Sequence, residues 1–458
     1  MSVLKKLTAT AMLAAATISV SGVAAWADAP VNAPDASAPT DQAAGPVVWN
    51  MNQEINALAA SRTLDPEFVA KGIPLGGGPF RLFTNFVSDA SYDDNVYRTN
   101  HNSPGAAPQA DFFFAESPTL VLDYQTSFVH LDAYADATFN EYAKLSAVDN
   151  TEYDAGLGGT YVISRAAQFS GNVSYSQDAQ PLSSPDNVSF QARPTLYNDL
   201  NATGQFKYQP NRLGFTLGAS ADVYNYQSQP VIGGGADIDI SDRNDTVVRG
   251  FFEGDYDFSP GYEGFLRASY DSDQYQHYFD VTGTHRSSTG EQYDVGVKTL
   301  LSNLIQGQIY LGYLSDQYDH HQAHPLADIS GLDFGASLTW FPTEMLTVHL
   351  AGQRSIVDTT LFGASGGDDK NVGLNADYEL TRRIHLLFNA DYDDTSYNGQ
   401  VRPSDAYIQT LTLGVGAKWL ISHYVQGTLA YNYSTRGSDA PSFVYHDNLV
   451  TVGLNFQI

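Results

Sequence analysis

Residues 213–226 read LGFTLGASADVYNY, and apolar and polar positions alternate almost without fault. Leu213, Phe215, Leu217, Ala219, Ala221 and Val223 stand against Gly214, Thr216, Gly218, Ser220, Asp222 and Tyr224. A period of two places the two sets on opposite faces of a β-strand. The pattern recurs along the chain: Leu346, Val348 and Leu350 alternate with Thr347, His349 and Ala351, and the end of the chain puts Val450, Val452, Leu454, Phe456 and Ile458 on one face. Residues 384–392 follow the same rule, with Ile384, Leu386, Phe388 and Ala390 on the apolar side. Alternation alone fits a soluble sandwich as well as a membrane barrel. What separates them is the amount of apolar surface, since strands repeated in this number leave an oily face that nothing else in the sequence covers. Lipid is the expected partner of that face, and a wet lumen the expected partner of the other.

The number of strands follows from the connections. Tight turns are expected at DYQT (123–126), SRAA (164–167), QPNR (209–212), SPGY (259–262), LSNL (301–304), FPTE (341–344), LTRR (380–383) and LISH (420–423). Longer polar stretches lie near 98–110, 143–150, 180–194, 227–243, 276–290, 317–330, 358–369, 395–404 and 436–446. Eight short turns alternating with nine long loops separate eighteen strands between Phe80 and Ile458. The expected fold is an all-β transmembrane antiparallel barrel over 80–458, with the short turns and both ends of the barrel chain on the periplasmic side.

The N-terminus carries a different signal. Lys5 and Lys6, the apolar stretch from Leu7 to Val23 and the small-x-small site Ala25-Trp26-Ala27 read as a secretory signal peptide over 1–27. Residues 28–79 then read as a periplasmic linker, opening with the Ala-, Pro- and Asp-rich DAPVNAPDASAPTDQAAG and with room for one short amphipathic helix at 47–62. Beyond the signal, no stretch approaches the ~18–20 apolar residues a membrane-crossing helix needs. The chain has no cysteine, hence no disulfide framework. Without Lys5 and Lys6 it carries 21 basic and 51 acidic residues, a net charge of −30. Nucleic acid, which requires a basic footprint, is excluded as a partner.

The segment KGIPLGGGPFRLFTNFVSDASYDDNVYRTN (71–100) resembles the start of the family called putative β-barrel porin 2. Its glycine-containing turn, aromatic-led strand and the run from Tyr92 to Tyr97 carry the likeness, and strand pattern and loop spacing extend it over about 64–458. The resemblance implies an outer-membrane barrel of a Gram-negative bacterium, surrounded by lipid and inserted by the barrel-assembly machinery, and for some members a link to exopolysaccharide export with periplasmic partners. The chain ends on Ile458 rather than the usual terminal aromatic, with Phe456 two residues before.

The polar set of each strand forms the expected lumen wall. Its acids are Asp132, Asp136, Asp154, Asp199, Asp222, Glu253, Asp255, Asp257, Glu263, Asp271, Asp294, Asp333, Asp377, Glu379, Asp391 and Asp393, and its fewer bases Arg81, Lys207, Arg249, Arg267, Lys298 and Lys418. Such a wall attracts cations and repels small anions. Its members also serve simply to keep the interior wet. Tyr134, Tyr197, Tyr224, Tyr310 and Tyr424 fall on the lumen side by parity, where they stack on sugars or fill space. Eighteen strands tilted ~40° close into a cylinder roughly 35 Å across, leaving a path on the order of 15 Å.

Catalytic and metal readings have thinner support. His277, His285, His320, His321 and His324 lie in or beside loops with Asp316 and Asp319, but at irregular spacing. YDDN (92–95) clusters oxygens without the fixed spacing of a calcium loop. The expectation is therefore no enzyme, no cofactor and no metal. It is a channel for exopolysaccharide export, with a general or cation-preferring porin for small solutes as the alternative and a structural or adhesive surface barrel as the third reading.

Overall fold

The structure is a computed structural model that describes residues 68, 70–100, 107–187, 193–230, 236–299, 304–320, 325–361, 363–399 and 407–458. The expected signal peptide, nearly all of the expected linker before residue 70 and the expected helix at 47–62 lie outside them. After a two-residue strand β1 (Ile73–Pro74), eighteen long strands follow in chain order. They are β2 (Phe80–Asp93), β3 (Asp111–Gln125), β4 (Val129–Tyr142), β5 (Asn150–Ser164), β6 (Ala167–Gln180), β7 (Thr195–Tyr208), β8 (Leu213–Tyr226), β9 (Asp245–Ser259) and β10 (Tyr262–Tyr275). The second half comprises β11 (Ser288–Thr299), β12 (Ile305–Tyr318), β13 (Ile329–Trp340), β14 (Leu346–Val357), β15 (Ala364–Thr381), β16 (Ile384–Gly399), β17 (Tyr407–Leu420), β18 (Val425–Ser438) and β19 (Tyr445–Gln457). Each pairs antiparallel with its neighbours in sequence, and β19 pairs with β2 from Leu449↔Asp93 to Gln457↔Asn85. That last ladder closes the sheet into a barrel, so no strand is left as a free edge along its whole length.

The alternation seen in the sequence decides which side faces what. On β8, Leu213, Leu217 and Ala219 are exposed while Thr216, Ser220 and Asp222 are buried. The buried set is the inner one, because its members on other strands reach across a strand to bond one another, as Lys298 on β11 does to Asp255 on β9. Only the concave side of a barrel permits that. Outward positions of β8 stay apolar from Leu213 through Val223, ten residues of rise. At ~3.3 Å per residue and a tilt of ~40° this is a band of about 25 Å, the height of a bacterial outer-membrane hydrocarbon layer. Trp340 and Trp419 point outward beside short turns, where an aromatic girdle is expected.

Six of the eight expected tight connections fall at their expected places; the first turns at 126–128 rather than 123–126, because β3 runs on to Gln125, and 301–303 of the expected turn 301–304 lie outside the described residues. Several strands run two or three residues into stretches read as loops, and β15 and β16 run furthest, into those at 358–369 and 395–404. Gly366, Gly367, Asp368 and Asp369 look like a loop by composition. Their register partners Asn398, Tyr397, Ser396 and Thr395 give them ladder partners above the lipid band.

Near the periplasmic end β1 pairs with β2 through Ile73↔Leu82 and Pro74↔Arg81, below the point where β19 stops. The buried Phe68 accepts a hydrogen bond on its carbonyl from the Gln457 side chain (2.9 Å), and the Arg383 guanidinium lies 5.6 Å over its ring. The chain that enters the barrel is thereby tied to its last strand.

Candidate functional site: the barrel lumen

The inner wall carries two distinct groups of charges. On β9 to β13 the bases are enclosed by acids. Arg267 Nε and Nη2 donate to Glu253 Oε2 at 2.8 and 2.6 Å. Lys298 Nζ contacts Glu253, Asp255 (2.9 Å) and Glu263 (3.2 Å). Both cations also stand 4.9 Å from the ring of Phe265. Next to them Gln292 donates to Asp333 at 2.5 Å and to Asp294 at 3.2 Å. Two cations thus face Glu253, Asp255, Glu263, Asp294 and Asp333. Lys298 and Asp333 are 3% and 0% exposed, so this group is packed wall rather than open surface, and its buried charges persist because they are paired.

The second group, on β4 to β8, is almost purely acidic. Asp136 on β4 and Asp154 on β5 are direct cross-strand partners, followed along the wall by Asp178 on β6, Asp199 on β7 and Asp222 on β8. The hydrogen-bond partners here are neutral: Tyr134 Oη donates to Asp154 (2.9 Å), Ser176 Oγ to Asp178 (2.6 Å) and Asn201 Nδ2 to Asp222 (2.5 Å). Arg249, in register with Asp271, meets Asp222 at 2.8 Å at one end of the row. Among the described residues no basic side chain lies within ion-pair distance of Asp132, Asp136, Asp154, Asp178 or Asp199. Like charges placed directly opposite on a sheet cost stability. A row of them is therefore a place where mobile cations are drawn in.

Asp377, Asp391 and Lys418 also fall on the inward face. Asp377 contacts His385 Nδ1 at 2.8 Å, Lys418 is the cross-strand partner of that histidine, and Asp391 accepts from Asn389 at 3.2 Å.

The tyrosines are mostly wall filling. The Tyr134 ring lies against Gly156, where a Cβ would come within 2.7 Å of it, and the Tyr310 ring covers Gly335 in the same way. Tyr197 and Tyr224 are neighbours with ring centroids 6.2 Å apart. Tyr424 departs from its expected place. It sits in the turn 421–424, 52% exposed and packed on His423, because the two-residue parity of a strand does not carry through a turn.

At the long-loop end, a strap crosses the mouth. The segment 181–187 follows β6, and its Asp186 Oδ1 accepts from Thr359 Oγ1 (2.8 Å) and Thr360 N (2.7 Å), which follow β14. These strands are eight places apart in a ring of eighteen, nearly opposite one another. Arg436 on β18 donates to the Ser183 carbonyl at 2.5 Å. Arg286 donates to the carbonyls of Thr359 and Ala364 and is held by Asp280 Oδ2 at 2.7 Å. Asp280 Oδ1 in turn accepts from Thr282 N and Thr284 N at 2.8 and 2.9 Å.

Residues 65–458 match the family described as Putative beta-barrel porin 2. The chain belongs to that family. It is an outer-membrane β-barrel of the porin kind, without the catalytic role of an enzyme, and it works in a lipid environment reached through barrel assembly. Among solved structures the porin-family chain is similar to the copper transporter OprC, with 11% identity, 84% of this chain and 81% of that chain covered, and a TM-score of 0.47. It is also similar to OccAB1 of Acinetobacter baumannii (11% identity, 86% and 99% covered, TM-score 0.42) and to the siderophore receptor PirA of Pseudomonas aeruginosa (9%, 82% and 80%, 0.42). No curated protein matches this porin-family sequence.

The run YDDN turns out to be the clasp of this porin barrel. Asp94 binds Asn448 across the closing seam, and Asn95 Nδ2 donates to the His446 carbonyl at 2.9 Å. Asp93, Asp94 and Asp447 are the one carboxylate triple among the described residues close enough to share an ion. Arg98 already serves as its cation, with Nη1 2.9 Å from Asp93 and 3.0 Å from Asp447. Of the histidines, His285 stacks on Tyr278 at 4.2 Å and His320 contacts Asp328, while His321 and His324 lie outside the described residues. The strap residues Asp186, Arg286 and Arg436 escaped the sequence. The one local hint was DVTGT (280–284), a carboxylate-closed turn.

Proposed function

We propose that this barrel is a channel for small hydrated solutes with a preference for cations. The observation that carries it is the register of Asp136 opposite Asp154, continued by Asp178 and Asp199, with no base in ion-pair distance among the described residues. Oriented carboxylates on a low-dielectric wall focus a negative potential along the lumen, raising the local concentration of cations and excluding small anions. Asp132, Asp271, Asp377 and Asp391 extend the same field, while Arg249 is paired with Asp222, and Arg267 and Lys298 are neutralised within their own acidic enclosure and do not oppose it. The porin alternative read from the sequence is thus better supported than polymer export. A strap bonded across the mouth favours small solutes over a long chain, and the luminal Tyr134 and Tyr310 rings are committed to glycine-backed packing.

Purified protein in a planar bilayer under a potassium chloride gradient tests this reading. The expected reversal potential has the sign of cation selectivity, and anion selectivity would overturn it. Deletion of the gene adds a cellular arm: slowed uptake of small solutes supports the proposal, and loss of secreted polymer with unchanged uptake would return the export reading.

A further inference from the structure

The wall is not equally knitted all round. β13 and β14 share six register pairs, from Gly335↔Gln353 to Trp340↔Val348, the shortest ladder among the eighteen wall strands. Above Gly335 the two part. Residues Ile329–Phe334 keep their full ladder on β12, and Arg354–Val357 keep theirs on β15, but they share none with each other. Four residues of strand are roughly 13 Å of wall in which backbone groups lack their sheet partner, at the long-loop end of the lipid band.

Side chains hold this opening together. Arg354 belongs to the outward set of β14, yet it is 8% exposed and lies in the seam. Its Nη1 donates to the Leu332 carbonyl (2.7 Å) and its Nε to Asp368 (2.7 Å), and the guanidinium covers Gly331, where a Cβ would meet it at 3.2 Å. Inside the opening, Tyr318, Leu326 and Ile329 form an apolar cluster with Ile356 packed on it, in a lumen whose wall is otherwise mainly polar. Outside it, Leu332 and Phe334 are exposed to lipid. A buried apolar cluster therefore backs, and lipid-exposed Leu332 and Phe334 front, a stretch of wall without a backbone ladder that is longer than the gap between Asn150–Glu152 of β5 and Asp178–Gln180 of β6.

We propose that the upper β13–β14 seam is a lateral portal, latched by Arg354, through which an amphiphilic solute with a neutral or cationic head exchanges between the lumen and the outer leaflet. The proposal rests on the channel reading for the sign of the head group: the acidic lumen accepts a cationic or neutral head, and the split lets its chain reach hydrocarbon. Parting the seam requires release of the one Arg354 hydrogen bond that crosses it, to the Leu332 carbonyl, and of the contact between Ile356 and the apolar cluster, in place of a continuous ladder; the Asp368 bond stays on the β14–β15 side and holds the guanidinium in position.

The chain has no cysteine, so a bridged pair can be introduced without background. Continuing the register Gly335↔Gln353 upward sets Leu332 opposite Ile356, and Leu332→Cys with Ile356→Cys, joined by a cleavable bismaleimide, locks the opening. With the seam free, dodecyltrimethylammonium should block the potassium current at a concentration at least about tenfold below tetramethylammonium, the difference coming from burial of the alkyl chain. With the seam locked, the two should block alike while the potassium current persists, and cleavage should restore the difference. An unchanged chain-length preference in the locked protein overturns the portal and leaves the channel reading standing. If no potassium current is seen at all, the channel reading fails, and the portal is judged by the bridging rate. Dodecyltrimethylammonium should slow bridging of the cysteine pair about fivefold or more relative to tetramethylammonium, and equal rates overturn it.

Discussion

Asp94, just past the end of the first long strand, accepts both the backbone N–H (2.8 Å) and the side-chain amide (2.7 Å) of Asn448 on the last one. The bond pair joins residues 354 positions apart and sits where the barrel closes. Beside it Val96 is buried with Phe113, Tyr142 and Leu449, so polar clasp and apolar plug secure one seam. Asp94→Ala strands both amide groups of Asn448. It should lower stability by about 2–3 kcal/mol, read as a fall in the temperature at which the folded band disappears in heat-modifiability gels. A variant as stable as the parent would remove the clasp from the account.

The acidic row makes a charge prediction. Asp136→Asn with Asp154→Asn removes the directly opposed pair without changing side-chain volume. Cation selectivity measured from the reversal potential should fall several-fold, while conductance at high salt, where screening shortens the reach of the wall charges, changes little. Selectivity that survives the double substitution would move the filter elsewhere.

The strap predicts an acid response. Burial raises the Asp280 carboxyl, but the bonds from Thr282 and Thr284 and the neighbouring Arg286 outweigh it and hold the group below its ordinary range. A depressed carboxylate adds stability that is complete above the ordinary carboxylate range and is lost as pH falls through the folded value. The strap should therefore loosen only in acid, seen as a rise in single-channel conductance on the long-loop side. Arg286→Gln, which removes the Asp280 partner and weakens the hold on Thr359 and Ala364, should give that higher conductance already at neutral pH. Equal conductance in parent and variant at all pH values would show that the strap does not limit flow.

Strands and tight turns were legible because both are local. Period-two alternation such as Leu213 to Val223, and turns such as QPNR, need only neighbouring residues to be read. The inward set of acids followed from the same parity. What stayed hidden was whatever depends on closure. Asp186 meets Thr359 across 173 residues and Arg436 meets Ser183 across 253, and no local pattern encodes either. The missing upper ladder between β13 and β14 left only an indirect trace, a basic Arg354 on the outward parity and apolar Ile329 and Val357 on the inward one, which breaks the alternation without saying which neighbour is lost.

The two faces of one strand give the last prediction. Leu217 is 55% exposed toward lipid, whereas its neighbour Thr216 is buried on the inner wall near the acids of β9. Leu217→Arg places a charge well inside the apolar band and should cost about 2–4 kcal/mol, measured by urea unfolding in lipid vesicles. Thr216→Arg adds the same group on the inside, where Glu253 is the direct cross-strand partner and carboxylates abound, and its cost should be smaller and accompanied by reduced cation selectivity. The contrast isolates solvent from residue type, because strand, height and substituent are nearly constant. Equal costs on the two faces, or a larger cost inside, would mean that hydrocarbon does not bathe the outer face of β8.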